Sequence, residues 1–565
     1  MRRVIGIVMM VVMLGVVGCN VPAATEPTAV PSATLAPTAT ALPTPTPVPS
    51  SAAYPWWRQA VFYQVFVRSF ADSTEGSTDC DGIGDINGLI ERLDYLNDGD
   101  PTTTDDLGVT ALWLMPIQQS PSYHGYDVMD YYTVETDYGT NEDFLRLMDE
   151  AKARGMHVIV DLVLNHVSSQ HPWFNGAFRL DSPTHDYFVW QADPPDVRGE
   201  WGQTVWHRLG PNKYYGVFWS GMPDLNYSNP AVTEEMYGVS RFWLEEMGAD
   251  GFRLDAIRFF IEENGRVSDT PANFEWMTAY QAYLKSVDPQ VFTVGEAWTS
   301  NAIAARYVQQ QGVDMTFAFD QATAIISALK SGTNRQLLLH QPATYTAYPT
   351  NQFGTFLTNH DQDRIMSQLG GDAGKVRAAA FWLLTSPGVP FIYYGEEIGM
   401  VGVKPDEKIR TPMQWTGERY VGFSECGVWQ APNRNAAEFN VAGQTDDPQS
   451  LLRLYRDLIH LRRAHPALLT GEYALVESSN TGVYAFLRTA PDETVLVVLN
   501  LTPNVIDDYV LSVDATGLSA VGAVSVLYGE GAAVAPVLDR SGGFAEYVPV
   551  AELAPYAGVV VRLGP

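Results

Sequence analysis

Eight short apolar runs lie between Val61 and Tyr394, and a stretch of helical period follows each of them. The runs are Val61–Val67, Ala111–Leu114, Val158–Val163, Gly251–Asp255, Val291–Gly295, Thr316–Phe319, Thr355–Leu357 and Pro390–Tyr394. The amphipathic stretches are Ile86–Leu96, Glu142–Arg154, Thr233–Met247, Trp276–Val287, Ala302–Gln311, Ala322–Lys330, Lys375–Leu384 and Leu451–Arg463. Eight strand–helix units in one stretch of this size predict an α/β fold, a (β/α)8 TIM barrel. A doubly wound sheet is the structural alternative, but no G-x-G-x-x-G follows a strand.

Two departures from the rhythm predict further domains. The gap between Val163 and Thr233 is too long for a plain βα loop. An insertion after strand three, residues 167–228, would sit on the C-terminal face of the barrel, where active sites are built. It carries Trp173, Trp201, Trp206, Tyr214, Tyr215 and Trp219, just beyond His166. Exposed aromatic faces there suit sugar rings, although for any single residue a place in the insertion's own small core is the simpler reading. After residue 465 the pattern becomes β-rich: Tyr473–Glu477, Gly482–Arg488, Thr494–Asn500, Asp508–Val513, Ala523–Tyr528 and Gly558–Leu563. Val495–Leu499 is apolar throughout, as in a buried sandwich strand, so residues 466–565 predict a C-terminal antiparallel β-sandwich. The barrel then comprises 54–166 and 229–465.

The first 53 residues are of another kind. Arg2-Arg3 followed by apolar Val4–Val17 reads as a secretion signal, too short to span a bilayer comfortably. It ends at Val16-Val17-Gly18-Cys19, which resembles a bacterial lipobox, so residues 1–18 are expected to be removed and Cys19 lipidated. An ordinary signal peptide with a chance cysteine is the alternative. Residues 19–53 are rich in Pro, Thr and Ala, cannot bury enough apolar surface to fold, and read as a tether. The expected location is the outer face of a bacterial cell, with the membrane touched only through Cys19. The formal net charge of −30 argues against nucleic acid as a partner and suits a neutral substrate. Beyond Cys19 only Cys80 and Cys426 remain, and these either pair or stay as two free buried thiols.

Polar and ionisable groups gather at the ends of the predicted strands. Strand three ends in Asp161-Leu162-Val163-Leu164-Asn165-His166 and strand four carries Arg253 and Asp255. Strand five ends in Gly295-Glu296-Ala297-Trp298, and strand seven in Thr358-Asn359-His360-Asp361. The loop after strand two is Tyr123-His124-Gly125-Tyr126-Asp127. Arg253 and Asp255 share a strand face, so the arginine is placed to hold the acid ionised and aimed, as a nucleophilic carboxylate requires. Glu296, beside Ala297 and Trp298, has apolar neighbours suited to raising its pKa for the role of acid. Two carboxyls with separated pKa values around one pocket suit glycosidic bond cleavage. A metal-dependent hydrolase is the runner-up, without an H-x-H or H-E-x-x-H ligand pair in its favour.

These segments resemble the α-amylase family, glycoside hydrolase family 13, a retaining family. The resemblance runs from about Tyr54 to the C-terminus and rests on Asp161–His166, Gly251–Ala256, Glu296, Phe356–Asp361 and Arg410-Thr411-Pro412-Met413-Gln414-Trp415. It implies Asp255 as nucleophile, Glu296 as general acid/base and Asp361 as the acid that binds sugar hydroxyls and stabilises the transition state. Arg253, His166, His360 and Tyr126 would complete the subsite of the cleaved residue, with His124 nearby. The loop Asp79-Cys80-Asp81-Gly82-Ile83-Gly84-Asp85 is similar to a calcium loop of the family. Asp79, Asp81 and Asp85 would give carboxylates and Ile83 a backbone carbonyl. Cys80 and Ser77 depart from the usual pattern, and a plain Asp-Gly turn is the alternative. A second calcium site of the family would use Asn165.

Met222-Pro223-Asp224-Leu225-Asn226 looks intermediate between oligo-1,6-glucosidases and neopullulanases, a subgroup that includes lipoprotein α-amylases. Arg258-Phe259 replaces the Lys-His pair that many amylases have after the nucleophile. A tethered enzyme outside the cell meets polymers, so the expected substrate is an α-1,4-glucan, starch and maltooligosaccharides, acted on by a monomer. The alternatives are an α-glucosidase or oligo-1,6-glucosidase, and a non-catalytic sugar-binding lipoprotein. An intact Asp255, Glu296 and Asp361 speaks against the last.

Overall fold

The computed structural model describes residues 54–74, 80–518 and 520–564. The expected leader 1–18, Cys19, the tether to residue 53 and Asp79 lie outside the described residues.

Eight parallel strands close into one ring: β1 (Phe62–Val65), β2 (Ala111–Leu114), β3 (His157–Leu162), β4 (Gly251–Leu254), β5 (Phe292–Gly295), β6 (Met315–Phe317), β7 (Phe353–Phe356) and β8 (Val389–Tyr393). Each pairs with the next, and β8 pairs with β1. Side chains alternate, so one set fills the barrel and the other faces the helices. Phe62, Ala111, Ile159, Phe292, Met315, Phe356 and Phe391 pack together inside. Tyr63, Leu112, Val158, Val160, Phe252 and Leu254 join the larger core under the helices. Two residues further along the inward face come Gln64, Trp113, Asp161 and Arg253, all buried. The barrel floor is thus apolar and its C-terminal end polar. At the base of β4 a Cβ on Gly251 would lie 2.0 Å from the Phe292 carbonyl oxygen, so the close approach of β4 to β5 admits only glycine.

The expected helices are present, with two differences. The third begins at Pro230, where the Asn229 side chain caps Ala231 N–H, and its last turn, Phe242–Glu246, widens to π geometry. A helix at Arg335–Ala347 was not expected. It carries Pro342 in its interior and has little apolar periodicity, so the two usual signals are both absent from its sequence.

The segment between β3 and Pro230 holds a short helix, Pro172–Gly176, and a three-stranded sheet of Trp190–Gln191, Asn212–Tyr215 and Trp206–Leu209. Its aromatics divide into two groups. Phe174 packs against Phe188, Trp190 and Tyr214 with ring centroids 4.9, 5.8 and 4.9 Å away, which is the segment's own core. Trp201 and Trp219 instead stay 65% and 53% exposed.

The C-terminal strands are β9 (Glu472–Ser478), β10 (Val483–Ala490), β11 (Glu493–Asn500), β12 (Leu511–Val513), β13 (Ser525–Tyr528), β14 (Phe544–Tyr547) and β15 (Gly558–Gly564). They hydrogen-bond antiparallel into one seven-stranded sheet in the order β13-β15-β11-β10-β9-β12-β14. The continuous apolar run in β11 has a direct cause. Val495, Val497 and Leu499 join the core shared with the barrel, while Leu496 and Val498 face the domain's own core.

Cys80 and Cys426 form a disulfide, with Cα atoms 5.4 Å apart across 346 residues of sequence. It joins the loop after β1 to the loop after β8, the two strands that close the ring.

Candidate active site

Arg253 occupies the middle of the polar end of the barrel and is 1% exposed. Its position on β4 places it beside Asp161 on β3 and Val294 on β5. Nη1 donates to Asp255 Oδ1 at 2.6 Å and to Asp161 Oδ1 and Oδ2 at 2.9 and 3.1 Å. Nη2 lies 2.9 Å from Glu296 Oε2. One guanidinium therefore holds Asp255 and Glu296 through its two terminal nitrogens. A charged, planar fork suits this task, and three surrounding carboxylates keep it protonated despite burial.

Ala256, the residue after Asp255, has φ +50°, a left-handed conformation that costs a β-carbon residue energy. That conformation accompanies an amide aimed at the acid: Ala256 N–H donates to Glu296 Oε2 at 3.1 Å. Burial pushes the Glu296 carboxyl up to about 7, and the like charges of Asp255 and Asp361 add to the rise while Arg253 opposes it. Trp298 is not the source of this environment. It is 48% exposed and stacks on Phe319, with centroids 4.8 Å apart. The rise read from the sequence is present and burial is its main cause, with Ala297 fully buried beside Glu296, while Trp298 has no part in it and the neighbouring carboxylates add to it.

Asp361 stands on the far side of the site. Burial alone would raise its carboxyl, but His360, Arg410 and Arg253 outweigh burial and hold it well below the usual carboxylate range. Arg410 Nη2 donates to Asp361 Oδ1 at 2.9 Å, and His360 Nε2 lies 3.1 Å from Oδ2. Gln64 Nε2 donates to His360 Nδ1 at 2.7 Å, which leaves the proton on Nε2, facing Asp361 and the Tyr126 hydroxyl 2.7 Å away. Tyr126 stacks on His360 at 5.4 Å and donates to Asp161 Oδ2 at 3.0 Å. His166 Nε2 donates to the Tyr126 carbonyl at 2.9 Å. His124 sits behind Tyr126, where its Nδ1 accepts from the Tyr126 N–H at 3.1 Å.

Asp255, Glu296 and Asp361, with Arg253, Tyr126, His166 and His360, thus converge on one end of the barrel. The three carboxyls keep 11%, 16% and 28% of their side-chain surface open. Three residues complete the site without having been assigned roles from the sequence. Asp161 is paired with Arg253, Trp113 Nε1 donates to Asp161 at 3.2 Å, and Arg410 holds Asp361. The inward alternation of β3 pointed to Asp161. Arg410 approaches from a loop beyond β8, and local periodicity carries no signal for such a residue.

The expected metal ligands are differently placed. Asp85 is fully buried and caps the helix beginning at Ile86, accepting from Gly88 N–H at 2.7 Å and from Ser73 Oγ at 2.8 Å. Asp81 is exposed and accepts from Ile83 N–H at 2.7 Å. Beside them the buried Asp72 accepts from Gly82 N–H at 2.9 Å, and its carboxyl is pushed up by burial and by negative Asp81. Asn165 donates to the Phe259 carbonyl at 2.8 Å while its Oδ1 faces His166 Nδ1 at 3.1 Å. Among the described residues no three His, Cys, Asp or Glu side chains form a cage.

Residues 64–471 match the α-amylase catalytic domain as a family. The chain is 39% identical over 459 residues to α-amylase 3 of Dictyoglomus thermophilum, covering 79% of this chain and 85% of that protein. It is 33% identical to trehalose synthase/amylase of Mycolicibacterium smegmatis, over 79% of this chain and 84% of that one. It is 30% identical to an oligo-1,6-glucosidase of Parageobacillus thermoglucosidasius, over 79% and 90%. Among solved structures, an α-amylase from H. orenii superposes with a TM-score of 0.77 at 39% identity, covering 89% of this chain and 99% of that one.

Proposed function

The chain belongs to the α-amylase family of glycoside hydrolases, and we propose that within it the enzyme cleaves α-1,4-glucosidic bonds of starch and maltooligosaccharides with retention of configuration. The observation that carries this reading is the Arg253 fork, which holds Asp255 and a protonatable Glu296 around one point. In this reading Asp255 attacks the anomeric carbon while Glu296 gives its proton to the leaving glycosidic oxygen. A glycosyl ester on Asp255 results. Glu296, now ionised, takes a proton from water as that water attacks the same carbon and frees Asp255. Asp361, kept anionic by Arg410, binds sugar hydroxyls and favours the positive charge that builds on the ring. Tyr126, His166, His360 and His124 shape the pocket around that sugar.

The α-1,4 preference is supported by the 39% identity to an α-amylase. The second reading is an α-glucosidase or oligo-1,6-glucosidase acting on short sugars. It is favoured by Arg258-Phe259 in place of the Lys-His pair, and by the relative named for that activity. Incubation with soluble starch, maltose and isomaltose separates them. Oligosaccharides from starch are expected, whereas glucose released from maltose or isomaltose with starch untouched would refute the α-amylase reading.

Two further features belong to the proposal. A structural calcium ion would be held by the Asp79–Asp85 loop, supported by the crowding of Asp72 and Asp81, which a cation would relieve. Lipidation at Cys19 would anchor the enzyme outside the cell, supported by the sequence Val16–Cys19 and the tether that follows. The enzyme would act there as a monomer.

A further inference from the structure

Arg410, which holds Asp361, follows a short helix, Asp406–Ile409, and its chain then joins no strand. The carbonyls there have no ladder to enter, and side chains take its place. Arg364 Nε and the Tyr393 hydroxyl donate to the Ile409 carbonyl at 2.9 and 3.0 Å, and the Tyr394 hydroxyl donates to the Thr411 carbonyl at 2.7 Å. The Arg410 carbonyl between them accepts from Ser69 Oγ at 2.5 Å. Ser69 lies in the loop after β1 and is fully buried. Its oxygen accepts from Trp429 Nε1 at 3.0 Å. An indole nitrogen can only donate, so the Ser69 hydroxyl receives that bond and its own proton is left for the Arg410 carbonyl.

Trp429 is held at several points. It stands three residues after Cys426, and its backbone N–H donates at 2.8 Å to the carbonyl of Gly82, two residues after Cys80. The disulfide and this bond clasp the same two loops side by side. The half-buried ring stacks on Tyr123, from the loop after β2, with centroids 5.4 Å apart, and meets Phe66 edge-on at 6.1 Å. Packing of this kind would be served by any large apolar ring. The N–H aimed into a buried hydroxyl is what only the indole supplies, and that hydroxyl grips the main chain of the arginine that holds Asp361.

We propose that Trp429 is a positioning residue: seated by the Cys80–Cys426 bridge, it sets Arg410, and through it Asp361, by way of the Ser69 hydroxyl. This deepens the hydrolase reading above and rests on it. Nothing in the relay touches sugar before Arg410 and Asp361, so its effect is on the placement of the anion that steadies the reacting ring.

The test measures kcat and KM on maltoheptaose and on α-maltosyl fluoride, whose leaving group is fluoride rather than sugar, with the melting temperature read on each preparation. Turnover of the fluoride by the parent enzyme checks the hydrolase reading by itself. Trp429→Phe keeps a ring against Tyr123 and removes the N–H, and Ser69→Ala removes the hydroxyl. Each is expected to lower kcat/KM by roughly threefold to tenfold, about the worth of one hydrogen bond, and equally on the two substrates. The double variant should be no worse than the poorer single one, and Trp429→Phe should cost nothing further in an Arg410→Leu background, because all three act through one path. Cys426→Ser should show a similar loss that Trp429→Phe does not deepen. Ser69→Ala keeps the test sound if the tryptophan cannot be replaced without unfolding. Parental kcat/KM in both Trp429→Phe and Ser69→Ala overturns the positioning role. Losses that multiply in the double variant, or that persist in full without Arg410, overturn the relay and leave these residues only a part in stability. Parental kcat/KM in Cys426→Ser overturns the seating by the bridge.

Discussion

The backbone amide of Ala256 donates to Glu296 Oε2 at 3.1 Å, so the residue next to Asp255, the proposed nucleophile, holds Glu296, the proposed acid. Asp255 and Glu296 are coupled through the main chain as well as through Arg253. Burial and two like charges keep the Glu296 carboxyl near 7. In its proposed role as general acid Glu296 must be protonated to act, so kcat/KM should fall as pH rises through about 7. Glu296→Gln should lower kcat on starch by roughly three orders of magnitude and remove that alkaline limb from the residual activity on α-maltosyl fluoride. A limb that persists in Glu296→Gln would assign it to another group.

Asp255→Asn should abolish turnover on starch by roughly three or more orders of magnitude. The fold should survive, because Arg253 keeps Asp161 and Glu296 as partners. The thermal midpoint and starch turnover measured on one preparation check both halves. Near-parental activity would remove Asp255 from the chemistry.

Arg410 acts through Asp361. The Asp361 carboxyl is held low in the folded enzyme, so it contributes stability above the ordinary carboxylate value, and that contribution is lost as pH falls below about 4. Arg410→Leu should therefore cost most stability at neutral pH, with the deficit shrinking in acid, and should raise KM for maltooligosaccharides. Melting curves from pH 7 to pH 3 on parent and variant test it. A deficit that grows in acid would contradict the assignment.

The Cys80–Cys426 bridge closes a loop of 346 residues. Cys426→Ser should destabilise the enzyme by roughly 2–5 kcal/mol, read as a lower denaturation midpoint. A reductant should lower the parent's midpoint and leave the variant's unchanged.

Chelation with EGTA should lower the melting temperature if the Asp79–Asp85 loop holds calcium, and added calcium should restore it. Asp81→Asn should blunt that response. A melting temperature indifferent to both would remove the cation from the loop.

The sequence showed most clearly what depends on local pattern. Alternation along each strand separated the apolar floor from the polar rim, and it brought Arg253 and Asp255 to one face and three distant acids to one end. What it concealed depends on contacts made at long range. Pro342 sits inside a helix of weak periodicity, so nothing local marked Arg335–Ala347. Arg410 reaches Asp361 from a loop with no repeating pattern. The environment of Glu296 was legible only in part: burial raises its carboxyl as its apolar neighbours suggest, but Trp298 turns away onto Phe319, and the charged groups that act on it arrive from the end of β4 and the loop after β7. The pairing of Cys80 with Cys426 likewise depends on long-range closure, since it is the adjoining ends of β1 and β8 that bring two cysteines 346 residues apart together.

Strand β11 has consequences for how this protein can evolve and be trimmed. Its odd-numbered side chains complete the packing of the catalytic barrel, and its even-numbered ones complete the appended sheet. The C-terminal module is therefore not detachable cargo. Cutting the gene after residue 465 would uncover a greasy flank on the catalytic half, and recombination that exchanges this module must carry a matching set of barrel helices with it.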